Sequence, residues 1–243
     1  MTSHESHDGH EKQPLRIDVW SDVACPWCYI GKRRFARALE QLAERDGAAP
    51  AVEVEYHSFE LSPDTPVDFE GTSTEFLARH KGIPLEQARQ MNDHVTRLAA
   101  AEGLEYRMDD VRHTTTLKAH ELLHLAKARG LQEPMKERLL RAYFTEGRHV
   151  GHVAELADLA AEVGLDRDEV VEALESGRYA DGVAADMAQA RAYGINGVPF
   201  YVIDGRYGVS GAQDPAVFVQ VLDQVLAERG EAELTPSTGR SGR

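Results

Sequence analysis

Residues 21–32 of the chain read SDVACPWCYIGK and contain both of its cysteines, Cys25 and Cys28. The residues before them, 15–20, read LRIDVW and alternate apolar with polar side chains, which predicts a strand. Apolar side chains recur at helical spacing after the cysteines, and Gly47 can end that helix. The cysteine pair therefore lies between a strand and a helix, with Cys25 at the start of the helix.

This position gives the two cysteines a predicted chemistry. A Cys-x-x-Cys pair beside a β-α-β pattern is typical of a redox-active dithiol. Free backbone N–H groups and the positive end of the helix dipole lie at a helix start and favour a thiolate. We therefore predict that Cys25 is exposed, has a pKa below that of a free cysteine and is the nucleophile. Cys28, one turn further on, is the predicted resolving thiol that breaks the mixed disulfide.

Two other interpretations of the pair stay open. It could be half of a zinc site, although the sequence has no second Cys-x-x-Cys and histidines would have to complete it. Both residues could also be inert buried cysteines, which is a frequent state of cysteine. Position and spacing agree with the redox interpretation, which we favour.

A second motif, HELLH at residues 120–124, matches the His-Glu-x-x-His pattern of zinc proteases. On a helix its two histidines share a face and could bind zinc while the glutamate activates water. The longer protease pattern would need glycine at Lys127 and histidine at Gly130, and Glu146 as a third ligand has no supporting motif. We therefore interpret residues 120–124 as an ordinary helix face and predict no metal site.

The composition limits the classes of partner. The 243 residues are 42% hydrophobic and 28% charged, which is ordinary for a globular protein. No apolar run approaches the roughly 18 residues that span a bilayer, so no membrane partner is expected. The 41 acidic and 27 basic residues give a net charge of −14, which repels phosphate backbones and argues against nucleic acid. With two cysteines and no signal-like N-terminus, the predicted location is cytoplasmic.

The rest of the chain divides into three parts. Residues 72–194 have helical patterns throughout, and five or six helices fit them. Thr72 with Glu75 forms a capping box at their start. The predicted helix ends within this block are the glycines at 82, 103, 130, 147 and 164. After Gly194 the pattern predicts a hairpin and a last helix that Gly230 ends. Residues 1–14 and 231–243 are predicted disordered tails.

This order resembles that of the DsbA-like thioredoxin-fold oxidoreductases: strand, Cys-Pro-Trp-Cys helix, helical insertion, Gly-Val-Pro-Phe strand, hairpin and final helix. Residues 21–32 resemble the cytoplasmic FrnE-type branch of that family. Three further stretches also fit the branch: residues 59–61, 142–147 and 210–213. The resemblance covers residues 15–229. The chain departs from it at Thr115 and Glu121, where we expect asparagine and arginine, so any ligand contact that relatives make there is in doubt.

The resemblance implies an α/β fold, a thioredoxin fold with a large helical domain inserted in the DsbA manner. Its thioredoxin part is predicted at residues 15–70 plus 178–230, and the helical insertion at residues 71–177. It also implies a cis Val198–Pro199 peptide bond beside the cysteines, in a loop that holds an extended substrate.

The resemblance implies thiol–disulfide exchange as the activity. Cys25 and Cys28 are the predicted catalytic residues, and the predicted substrate-binding residues are Pro26, Trp27, Val198 and Pro199. Trp27 has two equally weighted roles, partial burial against the helix start or an apolar surface for substrate. The expected partner is a disulfide- or thiol-bearing protein or small molecule. No bound cofactor is expected, glutathione is a possible co-substrate, and a homodimer is possible.

Two alternative functions stay open. The branch is related to glutathione-dependent 2-hydroxychromene-2-carboxylate isomerases and kappa-class glutathione transferases, which typically have serine at the position of Cys25. The first alternative is therefore a glutathione-dependent isomerase or transferase for a small aromatic or polyketide-type substrate. The second is a thiol-bearing binding protein without enzymatic activity. The retention of both thiols favours redox chemistry.

Overall fold

A computed structural model of the chain describes residues 13–234, with side chains up to residue 230. Its strands are β1 (Leu15–Ser21), β2 (Val52–Ser58), β3 (Phe200–Ile203) and β4 (Tyr207–Ser210). Its helices are α1 (Pro26–Asp46), α2 (Ser73–Lys81), α3 (Leu85–Ala101), α4 (Leu117–Ala128), α5 (Gln132–Phe144), α6 (Val153–Glu162), α7 (Arg167–Glu175), α8 (Ala180–Ala192) and α9 (Pro215–Leu234). Within residues 13–234, none of these helices has the length and apolar character to cross a membrane.

The strands form one sheet in the order β2-β1-β3-β4, in which β1 and β2 are parallel and the other pairs antiparallel. Val19 on β1 lies between Tyr56 on β2 and Tyr201 on β3. Helices α1 and α9 cover one face, where Phe35 and Phe218 pack on the sheet. This thioredoxin-like sheet, with helices inserted between β2 and β3, confirms the predicted fold class. The predicted residue limits of the two domains stay a prediction.

The inserted block holds seven helices, α2 to α8, instead of the predicted five or six. The five predicted glycine ends are correct, and Thr72 and Glu75 form the predicted capping box. The boundary missed by the sequence analysis is at Gly177, which adopts a φ of 66°. Residues 176–179, which include Gly177, join α7 to α8.

The core of the inserted block extends into the thioredoxin part next to the cysteines. Val23, Tyr29 and Ile30 belong to the same buried cluster as the apolar residues of α4, α5 and α6. On the other side, Gln132 on α5 donates to and accepts from the backbone of Tyr56 on β2, at 2.8 and 3.0 Å. The cysteine pair therefore lies where the two parts of the molecule are packed together.

The last helix differs from its prediction. Helix α9 continues through Gly230 to Leu234, so residues 231–234 are helical and not part of a disordered tail. One glycine costs a helix only about 1 kcal/mol relative to alanine, and the glutamate, alanine and leucine that follow are good helix formers. The predicted tails otherwise lie largely outside the described residues, at 1–12 and 235–243.

Candidate active site

Cys25 is the N-cap residue of α1, with φ −91° and ψ 113°, and Pro26 occupies the first helical position. The Cys28 N–H donates to the Cys25 carbonyl at 3.0 Å. Both sulfurs are free thiols and each residue is only 3% exposed. The predicted position at the helix start is therefore confirmed, whereas the predicted exposure of Cys25 is wrong. The Val198 loop and the inserted helices cover the sulfur, and both are distant in sequence.

Each of the two thiols changes the pKa of the other. The hydrogen bond between them, together with burial, raises the pKa of Cys25 well above its ordinary value. Burial acts upward on Cys28 as well, but the same hydrogen bond and the positive charge of Lys136 lower the pKa of Cys28 overall. In the dithiol the pKa of Cys25 is therefore raised and not lowered as predicted. A helix-dipole argument treats one thiol alone and omits its coupled neighbour.

The Val198–Pro199 peptide bond is cis, as predicted. Its loop lies directly against the first cysteine, where the Cys25 thiol donates to the Val198 carbonyl oxygen with an S···O distance of 3.5 Å. Pro199 is buried, and its carbonyl accepts a hydrogen bond from Gly211 N–H at 2.8 Å. The structure thus brings the Val198–Pro199 loop and the cysteine together. Their role in substrate binding stays a prediction.

An apolar cavity of about 410 Å³ opens beside Cys25. Pro26, Trp27 and Val198 line it from the thioredoxin part, and Trp27 is 38% exposed, so its side chain is available as an apolar surface. The opposite wall comes from the inserted helices and includes Phe76, Met91, Val95, Met108, Tyr143 and Phe144. Of the residues that the structure describes, Cys25 lines this cavity and Cys28 does not. Cys25 is therefore the cysteine next to which a ligand in the cavity would lie.

Asp22 forms part of the cavity lining and is 2% exposed. Its carboxylate accepts hydrogen bonds from the N–H groups of Ala24 and Leu61, at 3.3 and 2.9 Å, and from His120 Nε2 at 3.3 Å. Burial alone would raise the pKa of Asp22, but the bonds from His120 and Leu61 hold it below its ordinary value. Asp22 therefore keeps the turn before Cys25 in place.

A buried ion network behind the sheet was missed by the sequence analysis. His57 follows Glu53 and Glu55 on the same face of β2, yet it is 7% exposed and stacks on Trp20 with ring centroids 4.5 Å apart. Its Nε2 lies 2.8 Å from Asp18 and its Nδ1 2.9 Å from Asp186. Burial lowers the pKa of His57, but the two carboxylates outweigh it and raise the pKa to about 9. The second carboxylate is 129 residues away, so no local pattern indicates it.

The two histidines of the HELLH motif contact different carboxylates. His120 Nε2 faces Asp22, whereas His124 Nε2 lies 3.1 Å from Asp186 and 3.2 Å from Ser58 Oγ. The two histidines therefore bind different carboxylates and do not converge on one point. The remaining members pair with neighbouring cations, Glu121 with Lys118, and Glu146 with Arg138 and Arg141.

A third group, Asp68 with His149 and His152, has the spacing of metal ligands. The N–H of Gly151 donates to His149 Nδ1 at 3.1 Å, so this nitrogen is unprotonated and Nε2 carries the proton that it donates to Val67 O at 3.0 Å. A protonated Nε2 has no lone pair for a metal. We assign no metal to this group.

A close contact under the Val198–Pro199 loop gives the first testable prediction. A Cβ on Gly31 would lie 2.8 Å from Tyr201 Oη and 2.9 Å from Pro199 Cγ. Gly31→Ala should therefore push the Pro199 loop away from Cys25, slow disulfide exchange and lower the free energy of unfolding by about 1–3 kcal/mol. The matched control is Gly230→Ala, whose Cβ meets nothing within 4 Å. Equal denaturant midpoints and equal exchange rates in the two variants would contradict the prediction.

Comparison with known proteins agrees with this architecture. Residues 16–223 match the DSBA-like thioredoxin domain family. The protein YwbO of Bacillus subtilis is 29% identical over 212 residues, which cover 86% of this chain and 96% of that protein. The crystal structure of a probable DsbA oxidoreductase from Streptomyces coelicolor is 42% identical and superposes with a TM-score of 0.81, covering 94% of this chain and 97% of that one.

A 2-hydroxychromene-2-carboxylate isomerase is a more distant neighbour. It superposes with a TM-score of 0.64 over 90% of this chain and 99% of its own, but at 17% identity it shows the fold alone. The family match, in contrast, covers most of the chain and includes both cysteines. The chain therefore belongs to the DsbA-like thioredoxin domain family and is a DsbA-like oxidoreductase with the cysteine pair Cys25–Cys28.

Proposed function

We propose that the protein catalyses thiol–disulfide exchange on small molecules or single side chains that enter the apolar cavity. One observation carries the proposal: Cys25 lines the cavity, while Cys28 does not line it and follows Cys25 by three residues on α1. A substrate sulfur can therefore reach the first thiol, and the second is positioned to displace it. This is the division of labour that a mixed-disulfide mechanism needs.

The exchange proceeds in two balanced displacements. The proton of Cys25 passes to Cys28, and the Cys25 thiolate attacks one sulfur of the substrate disulfide, which breaks and releases one substrate thiolate. Cys28 then loses its proton, and its thiolate attacks Cys25 Sγ. The second substrate thiolate leaves, and the Cys25–Cys28 disulfide remains. In the opposite direction, two substrate thiols are oxidised and the protein pair is reduced.

The environment of Cys25 supports a defined substrate orientation. The Val198 carbonyl accepts a hydrogen bond from the Cys25 thiol in the free protein, and an extended substrate could use the same oxygen. Trp27 presents an exposed apolar surface next to the sulfur. Tyr106 Oη donates to the Pro26 carbonyl at 2.6 Å and ties the cysteine turn to the inserted block. We infer from these contacts that Pro26, Trp27, Val198 and Pro199 form the substrate site.

The proposal also includes the class of substrate, the branch of the family and the cellular location of the protein. The apolar walls of the cavity favour an aromatic or aliphatic group next to the reacting sulfur. Glutathione would serve as co-substrate and would supply the thiol that reduces the Cys25–Cys28 disulfide again. The resemblance of residues 21–32 to the FrnE-type branch supports a cytoplasmic redox role of this kind.

The experiment that tests the proposal traps its intermediate. In Cys28→Ser the first displacement can occur but the second cannot, so a mixed disulfide on Cys25 should accumulate. Incubation with an aryl disulfide and with glutathione disulfide, followed by intact mass spectrometry, should show one added thiol per chain. The Cys25→Ser variant is the control and should show none. Absence of an adduct on Cys28→Ser with either reagent would remove the proposed function.

A second function has one observation in its favour. The cavity has the size and apolar walls to hold a small aromatic molecule beside a glutathione thiol, as a glutathione-dependent isomerase would require. Such an enzyme activates the thiol of glutathione and does not need its own. Isomerisation of an aromatic substrate that persists in Cys25→Ser would favour this function over disulfide exchange.

A further inference from the structure

The cavity beside Cys25 has an uneven distribution of charge. Among the described residues that line it, Asp22 is the one acid and Lys81 is the one lysine or arginine. Asp22 is 2% exposed, and its carboxylate already accepts hydrogen bonds from His120 and from two backbone N–H groups. The charge that the cavity leaves without a partner is therefore positive, although the whole chain has a net charge of −14.

This positive charge lies on the side of the cavity formed by α2 and α3, which pack against each other. Lys81 is the last residue of α2 and is exposed, and within residues 13–230 its ammonium group forms no ion pair or hydrogen bond. His80 on α2 and His94 on α3 line the same cavity and are exposed as well. A histidine ring has an N–H donor in either tautomer. We call Lys81, His80 and His94 the basic wall.

An aromatic surface adjoins the basic wall. The ring of His80 stacks on that of Phe76, with centroids 5.3 Å apart and an angle of 17° between the planes. Phe76 lines the cavity, and its ring lies 3.6 Å from that of His113, which also lines it. A flat apolar group packed on Phe76 would therefore have a cation and N–H donors next to it. An anionic substituent on that group fits such surroundings.

We propose that the cavity selects disulfides and thiols whose sulfur is attached to an aromatic group with a carboxylate, and that the basic wall binds this carboxylate. The inference rests on the proposed function and deepens it, because disulfide exchange at Cys25 is the reaction and the basic wall selects the substrate. The negative charge of the whole chain repels anions, whereas a cleft with apolar walls and one uncompensated cation concentrates them locally.

A structural role of Lys81 is the alternative, because a cation in the last turn of a helix also interacts favourably with the helix dipole. Arg191 is the matched control for this role. It lies in the last turn of α8, is exposed, and forms no ion pair within residues 13–230. It does not belong to the described lining of the cavity. Substitution of either residue by glutamate changes the net charge by the same amount.

The test compares two disulfides of matched shape, one of para-mercaptobenzoate and one of para-mercaptobenzamide. The Cys25 thiolate attacks one sulfur, the S–S bond breaks, and the released arylthiolate is followed by its absorbance. The other aryl group stays on Cys25 until Cys28 displaces it. The measured quantity is the ratio of the rate constant for the carboxylate probe to that for the amide probe.

In Lys81→Glu this ratio should fall at least about tenfold below wild type, because the attractive charge is reversed. Lys81→Met, which removes the charge without reversing it, should give an intermediate ratio. In Arg191→Glu the ratio should stay within about twofold of wild type, because that charge lies outside the cavity lining. An unchanged ratio in Lys81→Glu, or an equal fall in Lys81→Glu and Arg191→Glu, would overturn the inference.

A second measurement separates this inference from the proposed function. Naphthoate and naphthamide contain no sulfur, so their binding to the wild type can be measured by calorimetry without any exchange reaction. Naphthoate should bind at least about tenfold more tightly than naphthamide, and Lys81→Glu should remove this preference. If the wild type exchanges with neither disulfide but shows the preference, the proposed function fails and the carboxylate site stands. Equal binding of the two compounds by the wild type would refute the carboxylate site whatever the exchange activity.

Discussion

Cys25→Ser should abolish disulfide exchange, with a rate at least about a thousandfold below wild type, because a hydroxyl neither attacks a disulfide at neutral pH nor forms an S–S bond. The cavity geometry makes the loss specific to this sulfur. Cys25 lines the cavity, whereas Cys28 lies behind it and is 3% exposed. The measurement is the rate at which glutathione reduces a fluorogenic peptide disulfide in the presence of catalytic amounts of protein.

Cys28→Ser is the comparison variant, which separates the first displacement from complete turnover. It should block turnover but still consume one disulfide per chain, because the first displacement remains possible. Turnover in Cys25→Ser close to that of wild type would contradict the mechanism and would indicate that Cys28 reacts directly. Retention of a different, glutathione-dependent reaction in Cys25→Ser would instead favour the isomerase alternative.

The largest effect on stability is expected from Asp186→Asn. Asp186 on α8 accepts hydrogen bonds from His57, His124 and the Ser58 N–H, so it joins the inserted helices to β2. Removal of one partner from a buried ion pair typically costs about 3–5 kcal/mol, and the amide cannot accept from all three donors. We therefore expect the free energy of unfolding to fall by about 3 kcal/mol or more, measured by urea denaturation at pH 6.

This loss should depend on pH in a defined way. The pKa of His57 rises from 6.5 to about 9 on folding, so its contribution is complete below about pH 6.5 and disappears as the pH rises through about 9. Burial raises the pKa of Asp186, but its bonds from His124 and His57 lower it overall, so its contribution is present above 3.8 and is lost in acid. The stability difference between wild type and Asp186→Asn should therefore be largest near pH 4–6.5 and smaller at pH 10. A difference that does not vary with pH would contradict the ion-pair interpretation.

Local patterns predicted those features of the fold that depend on neighbouring residues. The strand before Cys25, the helix end at Gly47 and the hairpin turn after Ile203 each follow from a few adjacent side chains. The glycine ends of five inserted helices follow from the same kind of signal. Gly177 ends a further inserted helix, α7, in the same way, with a φ of 66°.

The electrostatics of the site could not be predicted in this way. The polar pattern of β2 does not indicate that His57 is buried, because its partner Asp186 is brought to it by a helix from the inserted block. A lysine on a helix is expected on the exposed face, yet Lys136 is buried where the inserted block packs against the thioredoxin part. The pKa of Cys25 differs from its prediction because burial and the neighbouring Cys28 thiol raise it, and a helix-dipole argument for one thiol omits both. The burial and the pKa of each of these residues depend on contacts with residues that are distant in sequence, so a short stretch of sequence does not indicate them.

The bond pair from Gln132 to Tyr56 also bears on the open edge of the sheet. Strand β2 lies at the border of the sheet, where unpaired N–H and C=O groups invite another chain to add a strand. The amide of Gln132 uses one donor and one acceptor, as a neighbouring strand would, and α5 lies along the strand behind it. The side chain of Gln132 thus occupies the backbone N–H and C=O of Tyr56, so an added strand could not pair with β2 at this residue.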